Sequence, residues 1–424
     1  MQRRRTLSRK PGRMLALGTI VTIAALGLTA CGSGFSAGST PAGGAKLTSG
    51  KAPLSVLIAP SGPAEKNAVV SAVGDWSRSS GTKATVIAAT DLSQQLAQGF
   101  ASGKPADVFY LGSGDLAGYA KNGNLLAYGD LLSNKSDFYP ALVKSFTVNN
   151  TFYCAPKDFS TLGLVINEDM WKQAGLTDAD IPTTWAQLTT VAAKLTGAGH
   201  VGLAMSPQYE RLGAFMAQAG GTITNAAGTT ATADSPDNVK ALTYVQGLLK
   251  DGSAAFSTDQ GTGWGGESFG KGLAAMTVEG NWITGALQTD YPNIHYKVAE
   301  LPAGPAAKGT LQFTNCWGIA KDSPNQAAAL KLVEKLTSTS DQLAFSKQFG
   351  VLPSIQSAAT TWKKQNPALV PFLDSVKFAQ GVPNQVGSAD VITAFDSQLA
   401  TLKSDDPATL LGTFQKNFQA VLTK

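Results

Sequence analysis

Strand-length apolar runs alternate with helix-period stretches at the start of the body, and this rhythm constrains the fold more than any other feature. Pro53–Ala59 (PLSVLIA) is apolar and stops at Pro60-Ser61-Gly62-Pro63, a strand running into a turn. A helical pattern follows, with Val69, Val70, Val73 and Trp76 on one face. Thr85–Ala89 predicts a second strand, Leu92–Phe100 a second helix and Ala106–Leu111 (ADVFYL) a third strand. Only a largely parallel sheet flanked by helices buries elements in that order, so the fold class is α/β.

The rhythm continues. Leu162–Asn167 reads as a strand, followed by a helix over 168–174 that Gly175 ends. Thr184 and Gln187 form a capping box for a helix to Leu195. Further helices are expected over 237–250, 327–336 and 340–349, and through most of 389–424.

The N-terminus has another character. Six of the 34 Lys and Arg residues precede Cys31, with no acid among them, leaving 28 basic against 29 acidic residues in the rest. A near-neutral body lacks the field that grips nucleic acid. Behind the basic start, Met14–Leu28 is apolar but short for a membrane span, the pattern of an export signal. Leu28-Thr29-Ala30-Cys31 resembles a bacterial lipobox, which implies cleavage after residue 30 and a lipid on Cys31. Residues 31–51 are rich in Gly, Ser, Ala and Thr and read as a flexible tether reaching roughly 25 Å. The expected location is extracytoplasmic, held to the cell membrane through that lipid alone.

Catalytic and cofactor motifs in the sequence are incomplete or lack their context. Gly112–Ala117 fits G-x-G-x-x-A after a strand, yet no ribose-binding acid follows a next strand, so the reading is a loop at a sheet's C-terminal edge, where open α/β sheets hold ligands. Gly265–Lys271 fits a phosphate-loop spacing, but Gly272 stands where Ser or Thr is needed. His200 and His295 are the only histidines, and no G-x-S-x-G is present. No cofactor, no metal and no catalytic residue is proposed.

What remains is a set of aromatic, acidic and amide residues in Gly-rich loops: Trp264 with Glu267, Glu279 with Asn281 and Trp282, and Asn315 with Trp317. An indole beside glycine offers a flat apolar platform, and nearby Glu and Asn offer directional hydrogen bonds. Neutral sugars need both, because one ring face carries C–H groups while hydroxyls line the rim. The alternative reading makes each tryptophan an ordinary core residue.

Five segments carry a resemblance: ADVFYLGSGDLAGYAKNGNLLAYGDLL (106–132), YCAPKDFSTLGLVINEDMWKQAGL (153–176), PTTWAQLTTVAAKLT (182–196), WGGESFGKGLAAMTVEGNW (264–282) and CWGIAKDSPNQAAALKLVEKLTS (316–338), the last running on to FGVLPS. Together the chain resembles the family 1 extracellular solute-binding proteins, the maltose-binding-protein-like sugar receptors of ABC transporters, from Leu54 to about Ser357. The resemblance implies two α/β lobes joined by crossover strands, with ligand in the cleft between them. It places one lobe at 52–157 plus 318–350 and the other at 158–317 plus 351–424. Tyr153–Asp158 and Thr314–Ile319 become hinge strands, with a third crossing near Val351–Pro353. Ser61, Ser113, Asp115 and Asp158 would face the ligand from the first lobe and hinge. Tyr209, Trp264, Glu267, Glu279, Asn281 and Trp282 would line the second. A disulfide between Cys154 and Cys316 follows from their places on adjacent hinge strands of an exported chain. The implied function is capture of a mono- to oligosaccharide by hinge closure and delivery to ABC permease subunits, by a monomer that is not an enzyme. The rivals are a secreted lipoprotein glycoside hydrolase, and the same fold serving a non-sugar solute.

Overall fold

The computed structural model describes residues 46–423 apart from residue 198. The signal segment, Cys31 and most of the tether lie outside these residues. Among them no helix is long and apolar enough to cross a membrane.

The fold is α/β and rests on two sheets. In the first, the strands run Ala84–Ala88, Leu54–Ile58, Val108–Gly112, Asn315–Ile319 and Ala155–Pro156 from edge to edge. The first three are parallel, as the strand–helix rhythm requires, and Asn315–Ile319 enters antiparallel from far along the chain. Pro63 starts the helix Pro63–Ser80 and Gly81, at φ +73°, ends it. Its buried face (Val69, Val73, Trp76) packs with Val56, Val108 and Phe109 into one core that also takes in the helix Gln326–Leu336.

The second sheet centres on the long strand Ser160–Asn167, antiparallel to Ala274–Gly280 on one side and to Thr310–Phe313 and Tyr296–Ala299 on the other. Val201–Met205 and Ala254–Phe256 extend it in parallel. The capping box at Thr184 forms with both halves present and starts the helix Trp185–Leu195. That helix and Tyr209–Ala219 cover one face of the sheet, and Phe269, Ile283, Phe372 and Trp362 cover the other.

Three chain segments pass between the sheets, stitched by hydrogen bonds. The Lys157 N–H donates to Asn315 O at 2.8 Å, and Phe159 and Leu352 exchange backbone bonds at 3.1 Å. Gln342 and Ser354 tie the first and third crossings: Gln342 Nε2 donates to Lys157 O at 2.7 Å and Ser354 Oγ to Pro156 O at 2.7 Å. Cys154 and Cys316 are joined by a disulfide, their Cα atoms 5.7 Å apart and both side chains buried.

Some boundaries differ from the sequence reading. Asn315–Trp317, assigned there to the second lobe, belong to the first sheet because the whole strand pairs with Val108–Gly112. The helix Pro140–Ser145, assigned to the first lobe, puts Leu142 into the cluster under the second sheet. The tether also ends earlier than residue 51. Thr48 Oγ1 accepts the Gln326 N–H at 3.0 Å and Thr48 O accepts the Ala327 N–H at 3.0 Å, so Thr48 serves as the cap that Asn325 does not supply.

Candidate functional site

Two polar clusters flank the crossings, one on each sheet. On the first, Glu65 sits in the opening turn of the helix Pro63–Ser80, 4% exposed. Its Oε2 accepts the Ser61 N–H at 2.7 Å and hydroxyl at 2.8 Å. Its Oε1 accepts the Tyr110 hydroxyl at 2.8 Å and the Lys157 ammonium at 2.9 Å. Lys157 also pairs with Asp158 and lies 4.7 Å from the centre of the Tyr110 ring. Burial pushes the Glu65 carboxyl up, but the Lys157 ammonium and the Ser61 N–H outweigh it and hold it below the usual range. For Lys157 burial works downward, and its two carboxylates hold it above the usual value. Burial dominates at Asp158 and raises it.

The second cluster forms where the strand Ala274–Gly280 ends. Glu279 is fully buried and pairs with Arg211, Nη2 to Oε2 at 2.8 Å. The Trp282 indole N–H donates to the same oxygen at 3.0 Å, and Arg211 lies 5.2 Å from the Trp282 ring centre. Trp282 packs edge-on against Phe313 at 5.4 Å and stays 37% exposed. A side chain at Gly280 would collide with its indole at 2.1 Å, so only glycine lets the ring lie flat there. Glu279 Oε1 is buried with no partner, and burial raises the carboxyl against the pull of Arg211. Gly265 is needed beside it, because a Cβ there would come within 3.0 Å of that oxygen. The clusters meet at the hinge, where Thr314, next to Phe313, donates its hydroxyl to Asp158 O at 2.6 Å.

The sequence-proposed residues divide. Ser61, Asp158, Glu279 and Trp282 belong to the two clusters. Ser113 and Asp115 open the helix Ser113–Lys121 at the end of the strand Val108–Gly112. Asp115 and Tyr119 line a cavity of about 240 Å³ together with Val386 and Gly387, and burial raises the Asp115 carboxyl. Asn315 is exposed at the start of its strand, paired with Gly112.

Others lie outside both clusters. Tyr209 is 5% exposed and packs in the core near Phe414. Trp317 is 1% exposed, edge-on to Tyr110 at 4.8 Å, inside the first core. Glu267 accepts the Gly263 N–H at 2.7 Å and pairs with Lys271 at 2.6 Å along its own helix. Trp264 lies over Gly266 and packs on the cluster that holds Phe269. Asn281 turns away, its amide donating to Gly350 O at 3.0 Å. Gly350 lines a larger cavity, of about 710 Å³, between the helix Ile283–Asp290 and the end of Thr339–Phe349. That cavity contains no member of either cluster.

Arg211, Glu65, Tyr110 and Phe313 were not foreseen. Glu65 had a signal: it shares the i, i+4, i+8, i+11 face with Val69, Val73 and Trp76, and an acid on an apolar face needs a buried partner. For Arg211 the signal was weaker, one cation in the first turn of an apolar helix.

The chain is similar to known proteins in sequence and in fold. Residues 79–371 match the family model described as bacterial extracellular solute-binding protein. A binding protein of Brucella abortus (strain 2308) is 24% identical over 351 residues, 78% of this chain and 84% of that protein. The sn-glycerol-3-phosphate-binding periplasmic protein UgpB of Escherichia coli (strain K12) is 25% identical over 250 residues, 55% of this chain and 56% of its own. Among solved structures, the cyclic alpha-maltosyl-1,6-maltose binding protein of Arthrobacter globiformis superposes with a TM-score of 0.79 at 21% identity, over 88% of this chain and 99% of that one. UgpB of Mycobacterium tuberculosis in complex with glycerophosphocholine gives 0.74 at 21% identity, with the same coverage of each chain.

Proposed function

The chain belongs to the bacterial extracellular solute-binding proteins, and from that premise we propose that it is the sugar receptor of an ABC importer. Trp282 carries the proposal: a half-exposed indole lies flat over Gly280, its rim N–H fixed on a buried carboxylate that keeps one free oxygen. A sugar ring stacks its C–H face on the indole, whose exposed edge is held in place by the buried Glu279 carboxylate. Charge favours a neutral solute over the phosphate-bearing ones named for the UgpB relatives, sn-glycerol-3-phosphate and glycerophosphocholine. Lys157 and Arg211, the cations of the two clusters, are both neutralised by carboxylates.

Capture proceeds by hinge closure. The Ser61–Glu65 and Asp115 side approaches the Trp282 side about the stitched crossings, and a solute touching both halves shifts the population to the closed form. Binding involves no bond chemistry, and the closed monomer delivers the sugar to its permease. The lipobox supports a lipid anchor on Cys31.

A panel of neutral mono- to tetrasaccharides, screened by thermal shift, tests the reading. One saccharide should raise the melting temperature and be recovered chemically unchanged. Release of a hydrolysed product would favour the glycosidase instead.

A further inference from the structure

Arg211 pairs with Glu279, and two further carboxylates lie at the start of its helix: Glu210, next to it in the chain, and Asp396, bonded to the Tyr209 N–H. Asp396 comes from the helix Ser388–Leu399, and its Oδ1 accepts the Tyr209 N–H at 2.7 Å. Gln208, the residue that precedes the helix Tyr209–Ala219, makes no side-chain cap, so Asp396 supplies the cap from 187 residues away. The guanidinium is only partly used: Nη2 is on Glu279, while Arg211 Nε is buried without a partner, as is Glu210 Oε2.

We infer that Asp396 is a positioning residue for the Trp282 site: it holds the start of the helix Tyr209–Ala219, and the proton it gains or loses decides how firmly Arg211 is committed to Glu279. The inference builds on the reading of Arg211, Glu279 and Trp282 as the solute-facing cluster.

The charged groups acting on Asp396 are Glu210, which opposes its ionisation, and Arg211, which favours it. The other helix packed on Ser388–Leu399 presents an aromatic, Phe414, stacked on Phe395 at 4.1 Å. Burial is the main force on Asp396 and lifts its carboxyl to about 7. Ionised, Asp396 adds a second negative charge at the start of the helix that carries Arg211 and competes with Glu279 for its charge. Protonated, it leaves Arg211 to Glu279 and steadies the carboxylate that fixes the Trp282 N–H.

The test is tryptophan emission of the solute-free mature chain, followed from acid to mildly alkaline pH. Wild type should show a one-proton transition centred near pH 7. Trp282→Phe should lose that transition, which assigns it to the site. Asp396→Asn keeps an acceptor for the Tyr209 N–H but cannot titrate, so its emission should stay flat at the acidic wild-type value. Asp396→Glu should restore a transition with a moved midpoint, and it serves as the working variant where the amide fails to fold by circular dichroism. A flat wild-type profile, or an Asp396→Asn profile that titrates like wild type, overturns the inference. A saccharide panel that fails to bind while the transition persists overturns the sugar reading and leaves this one standing.

Discussion

Replacing Lys157 with Met removes the single cation shared by Glu65 and Asp158 while keeping most of the apolar stem. Lys157 is 6% exposed, Glu65 4% and Asp158 8%, so water cannot take over the lost pairing. Breaking a buried ion pair from one side costs about 3–5 kcal/mol, because a charge is left uncompensated. Unfolding entropy of about 2.1 cal/mol/K per residue over the ordered body makes roughly 0.8 kcal/mol/K, so the melting temperature should fall by about 4–6 °C. The pH dependence identifies the cause. In wild type Glu65 is held below its unfolded value, so its share of stability is present above that value and lost as pH falls through the folded one. In Lys157→Met the sign reverses for Glu65: burial, which already raises Asp158, now raises both carboxyls unopposed, their protonated forms fit the fold, and the deficit should shrink as pH drops from 7 toward 5. Differential scanning calorimetry of both proteins across that range measures it. An unchanged melting temperature, or a deficit that is flat or grows on acidification, refutes the reasoning, because lost packing alone has no such titration.

The paired change Cys154→Ser with Cys316→Ser opens a loop of 162 residues, worth about 5 kcal/mol in the loop-entropy account, and should lower the denaturant midpoint under oxidising conditions but leave it unchanged relative to reduced wild type. Cys31→Ala should move the protein from the membrane fraction to the soluble extracytoplasmic fraction, read by immunoblot; continued membrane association would place the anchor elsewhere. Thr48→Val removes a cap hydroxyl from the helix Gln326–Leu336 and should cost about 1 kcal/mol of stability, checked by urea denaturation, with no effect on solute binding.

The layered α/β architecture was legible because its signals are local. Apolar runs bounded by Pro and Gly, the Thr184 capping box and the helix-ending Gly175 each act within a few residues and survive folding nearly unchanged. The site was harder to read because tryptophan serves core and platform alike. Trp282 and Trp264 both stand beside glycines, yet Trp282 is tied to Glu279 and left half-open while Trp264 folds onto its own helix. Glu267 and Glu279 look equivalent in sequence. One reaches Lys271, four residues along its helix, and the other meets Arg211 at a separation of 68 residues, which no local pattern reveals. Asn281 shows the same limit: its partner Gly350 comes from the third crossing.

The most direct test of the receptor assignment is calorimetric titration of the mature wild-type chain and Trp282→Ala against neutral mono- to tetrasaccharides and glycerophosphodiesters. The account expects one saccharide to bind wild type and to bind Trp282→Ala more weakly by about 30-fold to several hundredfold, the loss of about 2–4 kcal/mol typical of a packed aromatic anchor, in a variant that stays folded by circular dichroism. Binding of a glycerophosphodiester in place of any saccharide, or equal saccharide affinity in the two proteins, would contradict it.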